Sequence, residues 1–198
     1  MTGVDPVHCP PSRLLVISGS SRAGSLNTRL AHLVVRLRPA DKVHVVSDLS
    51  GLPFYDADLE ADGVPRPVAE LRTAVQAVDL LVLVTPEYNG TVPGLLANAV
   101  DWLSRPQRGS VLHRKPVLVL SASPSPSGGA RAAGQLRAVL TRIGADVLAA
   151  GLSVPAAHAR LGPPDPDPQT VADLSRLLDD ALDSLPSSPA AVRSQGAA

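Results

Sequence analysis

Residues 14–37 read Leu14-Leu15-Val16-Ile17-Ser18-Gly19-Ser20-Ser21-Arg22-Ala23-Gly24-Ser25-Leu26-Asn27-Thr28-Arg29-Leu30-Ala31-His32-Leu33-Val34-Val35-Arg36-Leu37. The opening run is apolar at consecutive positions, as in a strand buried on both faces. Leu26, Leu30, Leu33 and Leu37 then recur at the spacing of one helix face. Between the two lies a loop of glycine, serine and one arginine. A strand, a polar loop and a helix in that order predict an α/β fold.

The rest of the chain repeats the pattern. Leu14–Ser18, Val43–Val46, Leu80–Val84 and Val117–Leu120 are strand-like runs. Helical stripes follow at Val68, Leu71, Val75 and Val78, and at Leu136, Val139, Leu140 and Ile143. This alternation implies a parallel sheet with helices on both faces. A fifth strand is expected within Asp146–Val154, weakened by Ala149, Ala150 and Gly151. Leu174, Leu177, Leu178, Leu182 and Leu185 mark a last helix after the proline-rich stretch Pro163–Pro168. Residues 13–185 are expected to form a single domain. Met1–Ser12 and Pro186–Ala198 have little to bury and are expected to be disordered.

Composition narrows the function. The chain has 198 residues, with 18 basic and 18 acidic side chains, so it has no net positive field to hold a nucleic-acid backbone. Runs such as Leu80–Val84 are too short to span a bilayer, and Met1–Ser12 lacks the basic and apolar regions of a secretory signal. The single cysteine, Cys9, cannot form an internal disulfide, which points to a reducing cytoplasm. The five histidines are scattered without ligand-like spacing, so no metal site is expected.

In a doubly wound sheet, ligands sit beyond the carboxyl ends of the strands. Three loops there are rich in Ser, Gly and Pro. The first, Gly19–Asn27, runs into a helix N-terminus, which offers free N–H groups and a partial positive charge. With the hydroxyls of Ser20, Ser21 and Ser25, the amide of Asn27 and the guanidinium of Arg22, it suits a small dianion such as a phosphate monoester. The alternative is that Ser25 only caps the helix and Ser20 and Ser21 make a turn. A Walker A loop, a Gly-x-Gly-x-x-Gly fingerprint and a tyrosine-phosphatase loop are all absent from these residues. The second loop, Thr85–Gly94, offers backbone amides around Asn89 and Gly90 and the ring of Tyr88 to a flat heterocycle. Pro93 suits the first position of the next helix, in which Trp102 is read as core or interface. The third loop, Ser121–Arg131, contains Gly128 and Gly129, which permit close backbone approach to a ligand. The alternative is a flexible connector. Arg131 and Arg137 beyond it either face solvent or meet a phosphate of NADPH.

The spaced pattern Pro86-Glu87-Tyr88-Asn89-Gly90-Thr91-x-Pro93-Gly94-x-x-x-Asn98-Ala99-x-Asp101-Trp102, with Gly-Ser-x-Arg-x-x-Ser-x-Asn at Gly19–Asn27, resembles the NADPH-dependent FMN reductase family. That family lies in the flavodoxin-like superfamily and includes quinone and chromate reductases and azoreductases. The resemblance covers roughly Arg13 to Val154. It implies a flavodoxin-like, five-stranded parallel sheet in the order 2-1-3-4-5. It also implies bound FMN, with the phosphate on Ser20, Arg22, Ser25 and Asn27 and with Leu26 also among the cofactor-binding residues. The isoalloxazine and ribityl region would lie on Pro86, Glu87, Tyr88, Asn89 and Gly90, and Ser123, Gly128 and Gly129 would form a third wall. NADPH or NADH would donate the hydride, and a small-molecule electron acceptor would receive the electrons. A homodimer or homotetramer is implied as well. Ser125 stands where the family usually has a glycine. The flavin supplies the chemistry in this family, so no catalytic side chain is expected, and Glu87 is read as a loop-structural or interface residue rather than a general base. The competing readings are a flavodoxin-like electron carrier and a flavin-binding regulatory protein.

Overall fold

A computed structural model describes residues 11–107 and 109–185. The expected disordered ends therefore lie outside the described residues, apart from Pro11 and Ser12. Ser12 already belongs to the fold, since its N–H donates to Asp41 Oδ1 at 2.9 Å and its carbonyl accepts from Lys42 N at 2.9 Å.

The elements are β1 (Arg13–Ser18), α1 (Leu26–Leu37), β2 (Lys42–Val46), α2 (Ala57–Asp62), α3 (Arg66–Gln76), β3 (Leu80–Thr85), α4 (Gly94–Leu103), β4 (Pro116–Ala122), α5 (Ala130–Arg142), β5 (Asp146–Val147), β6 (Leu152–Val154), α6 (Ala157–Arg160) and α7 (Pro168–Asp183). The sheet runs β2-β1-β3-β4-β5, and every pairing is parallel. This is the expected order, and it reverses direction between β1 and β3. Ligands of such sheets bind at that switch point.

Successive strand residues serve opposite layers, as the pleat requires. Leu14, Val16, Leu80, Val82 and Val84 pack under α1 and α7. Leu15, Ile17, Leu81 and Leu83 pack under α3, α4 and α5. Each fully buried side chain of this kind contributes about 1.5–3 kcal/mol relative to exposure, which is why β1 and β3 show no polar alternation. Among the described residues, no helix is long and apolar enough to cross a membrane.

Several expectations change. The fifth strand is two short pieces: β5 pairs with the start of β4 and β6 with its end. Between them, Arg137 donates to the carbonyls of Leu148 at 2.6 Å, Ala149 at 2.8 Å and Ala150 at 3.2 Å, replacing the ladder bonds. Arg137 is therefore engaged with this break. Gly151 there lies so near β4 that a Cβ would meet the Val119 carbonyl oxygen at 2.7 Å. Val139 is 47% exposed, and the buried face of α5 is instead Ala132, Ala133, Leu136 and Leu140. Pro93 caps α4, and Gly94 is its first residue. The short helices α2 and α6 carry no apolar stripe in the sequence, because α2 buries no residue and α6 only Ala157.

Candidate functional site

The loops after β1, β3 and β4 meet at one end of the sheet, and three contacts join them. Gly19, at the end of β1, donates its N–H to Val84 O at 2.8 Å. A Cβ on it would lie 2.8 Å from Leu96 Cδ2 and 3.3 Å from Pro86 Cδ. Only glycine lets the first loop sit this close to the second.

Asn27 makes the contact between the first and third loops. Its Nδ2 donates to Ala122 O at 3.0 Å, and its Oδ1 accepts from Ala122 N at 2.9 Å. The reason lies in the register. β3 pairs with β4 as far as Thr85 opposite Ser121, so the next β4 residue, Ala122, has no β3 partner for its N–H and carbonyl. The amide of Asn27 takes the place of that partner.

Glu87 makes the third contact. Its Oε2 accepts from Arg131 N at 3.1 Å and Ala132 N at 3.2 Å, in the first turn of α5.

In the first loop, Ser25 Oγ accepts from Asn27 N at 3.2 Å and Thr28 N at 3.3 Å and so caps α1. Leu26 opens the helix and is buried in the core beneath it. A turn closes from Ser25 N to Arg22 O at 3.0 Å, with Gly24 at φ 70°. Among the described residues, the N–H groups of Ser21, Arg22, Ala23, Gly24 and Leu26 find no acceptor. The Ser20 hydroxyl and the Arg22 guanidinium likewise make no hydrogen bond to the described residues. Ser20 is buried and Arg22 exposed. A row of free donors at the start of a 12-residue helix, beside an unengaged guanidinium, fits a phosphate monoester. Ser25 and Asn27, by contrast, direct their side chains into the protein.

The second loop folds back as a two-residue hairpin. Tyr88 and Thr91 exchange N–H···O bonds of 3.1 and 3.0 Å, with Asn89 at φ 54° and Gly90 at φ 76° between them. Positive φ at both central residues is the type I′ turn that Asn-Gly favours. Pro86 is buried, and Tyr88 stands 50% exposed. The N–H groups of Glu87, Asn89 and Gly90 have no acceptor among the described residues, so the loop can address the polar edge of a planar ring.

The third loop is wound tightly rather than left flexible. The Ser123 N–H donates to Val154 O at 3.1 Å, the Gly128 N–H to Ser125 O at 3.1 Å, and the Ser121 hydroxyl to Gly128 O at 2.9 Å. Gly128 and Gly129 are buried, with φ of 63° and 86°. The close approach their missing Cβ allows is to the protein itself: at Gly128 a Cβ would meet Pro155 N and the Val154 carbonyl carbon at 2.7 Å. Ser125 falls outside the left-handed positions, so its side chain is accommodated there without backbone strain.

Two features escaped the sequence reading. Gly19 carries a signal, since a glycine at a strand end before a serine loop marks close approach. The other is the use made of Asn98 and Trp102. Asn98 Nδ2 and Trp102 Nε1 both donate to Pro53 O, at 2.9 and 2.8 Å, and Asn98 Oδ1 accepts from Tyr55 N at 2.8 Å. Trp102 is fully buried, as read. The partner segment is distant in sequence, and no local pattern announces it.

A family model for NADPH-dependent FMN reductases matches residues 12–159. The chain belongs to that family. An NAD(P)H-dependent FMN reductase of Pseudomonas aeruginosa is 40% identical over 128 residues, covering 65% of this chain and 69% of that one. A quinone reductase of Escherichia coli K12 is 39% identical over 138 residues, covering 69% and 73%. Among solved structures, the flavoenzyme NAD(P)H:(acceptor) oxidoreductase FerB of Paracoccus denitrificans superposes with a TM-score of 0.78 at 29% identity, covering 87% of this chain and 96% of that one. A flavodoxin of Pseudomonas aeruginosa, 17% identical with a TM-score of 0.55, shares the fold. FMN reductase membership and the FerB likeness imply FMN as the cofactor and NAD(P)H as the donor.

Proposed function

We propose that this protein is an FMN-dependent NAD(P)H oxidoreductase. It takes a hydride from NADPH or NADH and passes two electrons to a small acceptor such as free flavin, a quinone, an azo compound or a metal oxyanion. The observation that carries this reading is the row of unengaged N–H donors from Ser21 to Gly24 beside Arg22, at the switch point of the sheet. These groups with Ser20 hold the phosphate. The free N–H groups of Glu87, Asn89 and Gly90 face the flavin's polar edge, Tyr88 flanks it, and the turn of Ser123, Gly128 and Gly129 closes the third side. Leu26, Asn27 and Pro86 act behind this surface, fixing the loops that present it. FMN, when bound, supplies the hydride and electron chemistry. The chain's part is to orient it and leave one face open to donor and acceptor.

The half-exposed Tyr88 and the 84% exposed Phe54 support a second copy at the site's margin, as a homodimer or homotetramer. The lone cysteine supports a cytoplasmic setting.

Two results test this function. The purified protein supplied with FMN is expected to lose its yellow colour when NADPH or NADH is added without oxygen, and an acceptor is expected to restore it. Flavin that binds but stays yellow with both nucleotides would make the protein a carrier instead. Arg22→Ala removes a charge-assisted contact worth about 1.5–3 kcal/mol, so FMN binding should weaken by about tenfold or more. Titration of the flavin by fluorescence quenching measures it. Wild-type affinity in this variant would remove the phosphate from the first loop.

A further inference from the structure

Both α1 and α5 begin at this end of the sheet, so two positive helix ends point toward one corner. They are treated differently. The start of α1 keeps free donors, whereas α5, 13 residues long and capped by Gly129 without a side-chain hydrogen bond of its own, receives the carboxylate of Glu87 from the neighbouring loop. Arg131, in the same first turn, is exposed and pairs with no acidic side chain among the described residues. Without Glu87, the positive end of α5 and the exposed Arg131 would stand unopposed in the corner, whereas Arg22 and the start of α1 are matched by the phosphate. Both would stabilise a reduced, anionic flavin. Glu87 also lies against the glycine turn, with 3.7 Å between its Cβ and the place of a Cβ on Gly129.

We propose that Glu87 is a positioning residue of the flavin site: it neutralises the positive end of α5, which lowers the reduction potential of the bound FMN, and it fixes the Gly128–Gly129 turn against the Asn89–Gly90 hairpin. This rests on the FMN reading above. Its two parts separate by substitution. Glu87→Gln keeps an oxygen for the N–H groups of Arg131 and Ala132 and removes the charge. Glu87→Ala removes both.

The experiment compares the full-length, FMN-loaded wild type with the two variants, measuring the FMN dissociation constant and the midpoint potential of the bound flavin by equilibration with a reference dye. In Glu87→Gln, the affinity should stay within about threefold of wild type while the potential becomes more positive. In Glu87→Ala, the potential should move the same way, and FMN binding should weaken by about tenfold as the turn loosens. A Glu87→Gln potential equal to that of the wild type overturns the electrostatic role, and Glu87→Gln alone decides this if Glu87→Ala does not fold. Equal FMN affinity in the two variants overturns the fixing of the turn. Failure of the wild type itself to bind FMN would instead overturn the function on which the proposal rests.

Discussion

Gly128→Ala is expected to destabilise the protein by about 2–5 kcal/mol, a large share of the roughly 5–15 kcal/mol that holds a domain together. Two costs add. The residue sits at φ 63°, where an L side chain costs about 1–2 kcal/mol. Its Cβ would also stand 2.7 Å from Pro155 N and from the Val154 carbonyl carbon. Backbone atoms at the end of a packed strand cannot step aside, and overpacking of this kind typically costs about 1–3 kcal/mol. Gly90→Ala is the control, because Gly90 has a similar φ of 76° but open space where the Cβ would be. It should lose only the conformational part. Urea denaturation of both variants measures the difference. Equal losses would mean that the β4–α5 turn does not depend on contact with the end of β6.

Asn27→Ala is expected to cost about 2–4 kcal/mol, although Ala is the better helix former. The substitution leaves the N–H and the carbonyl of Ala122 buried and without the partners they have at 2.9 and 3.0 Å. Each unsatisfied buried group costs about 1–3 kcal/mol. Asn27→Asp separates this account from a simple loss of packing. A carboxylate could still accept from Ala122 N, but it would press a second oxygen against Ala122 O and should be no better than alanine. Thermal unfolding followed by circular dichroism gives the ranking. An alanine variant as stable as wild type would show that Ala122 finds other partners.

The parallel sheet was legible because buried strands must be apolar on both faces. Leu14–Ile17 and Leu80–Val84 have no polar position to mislead a reader. Legibility fell wherever a side chain replaced backbone. The guanidinium of Arg137 stands in for strand pairing between β5 and β6, and the amide of Asn27 continues on Ala122 the ladder that β3 leaves at Thr85. Both partners lie far along the chain or out of register, where periodicity carries no signal. The candidate site was legible in its loops and less so in its atoms. Composition pointed to Gly19–Asn27, Thr85–Gly94 and Ser121–Arg131, and these do converge. Composition does not say that Ser25 faces its own helix, or that Gly128 makes room for a strand end.

The seat of Trp102 has a practical consequence. The chain has a single tryptophan, fully buried, with its N–H on the Pro53 carbonyl and the ring of Tyr55 edge-on at 4.9 Å. Intrinsic emission is therefore a one-point optical signal from the seam between the 53–55 segment and α4, the helix that follows directly on the Tyr88–Thr91 hairpin. Flavin absorbs where indole emits. One fixed donor and one bound acceptor make the protein its own spectroscopic ruler, able to report cofactor docking without any attached label.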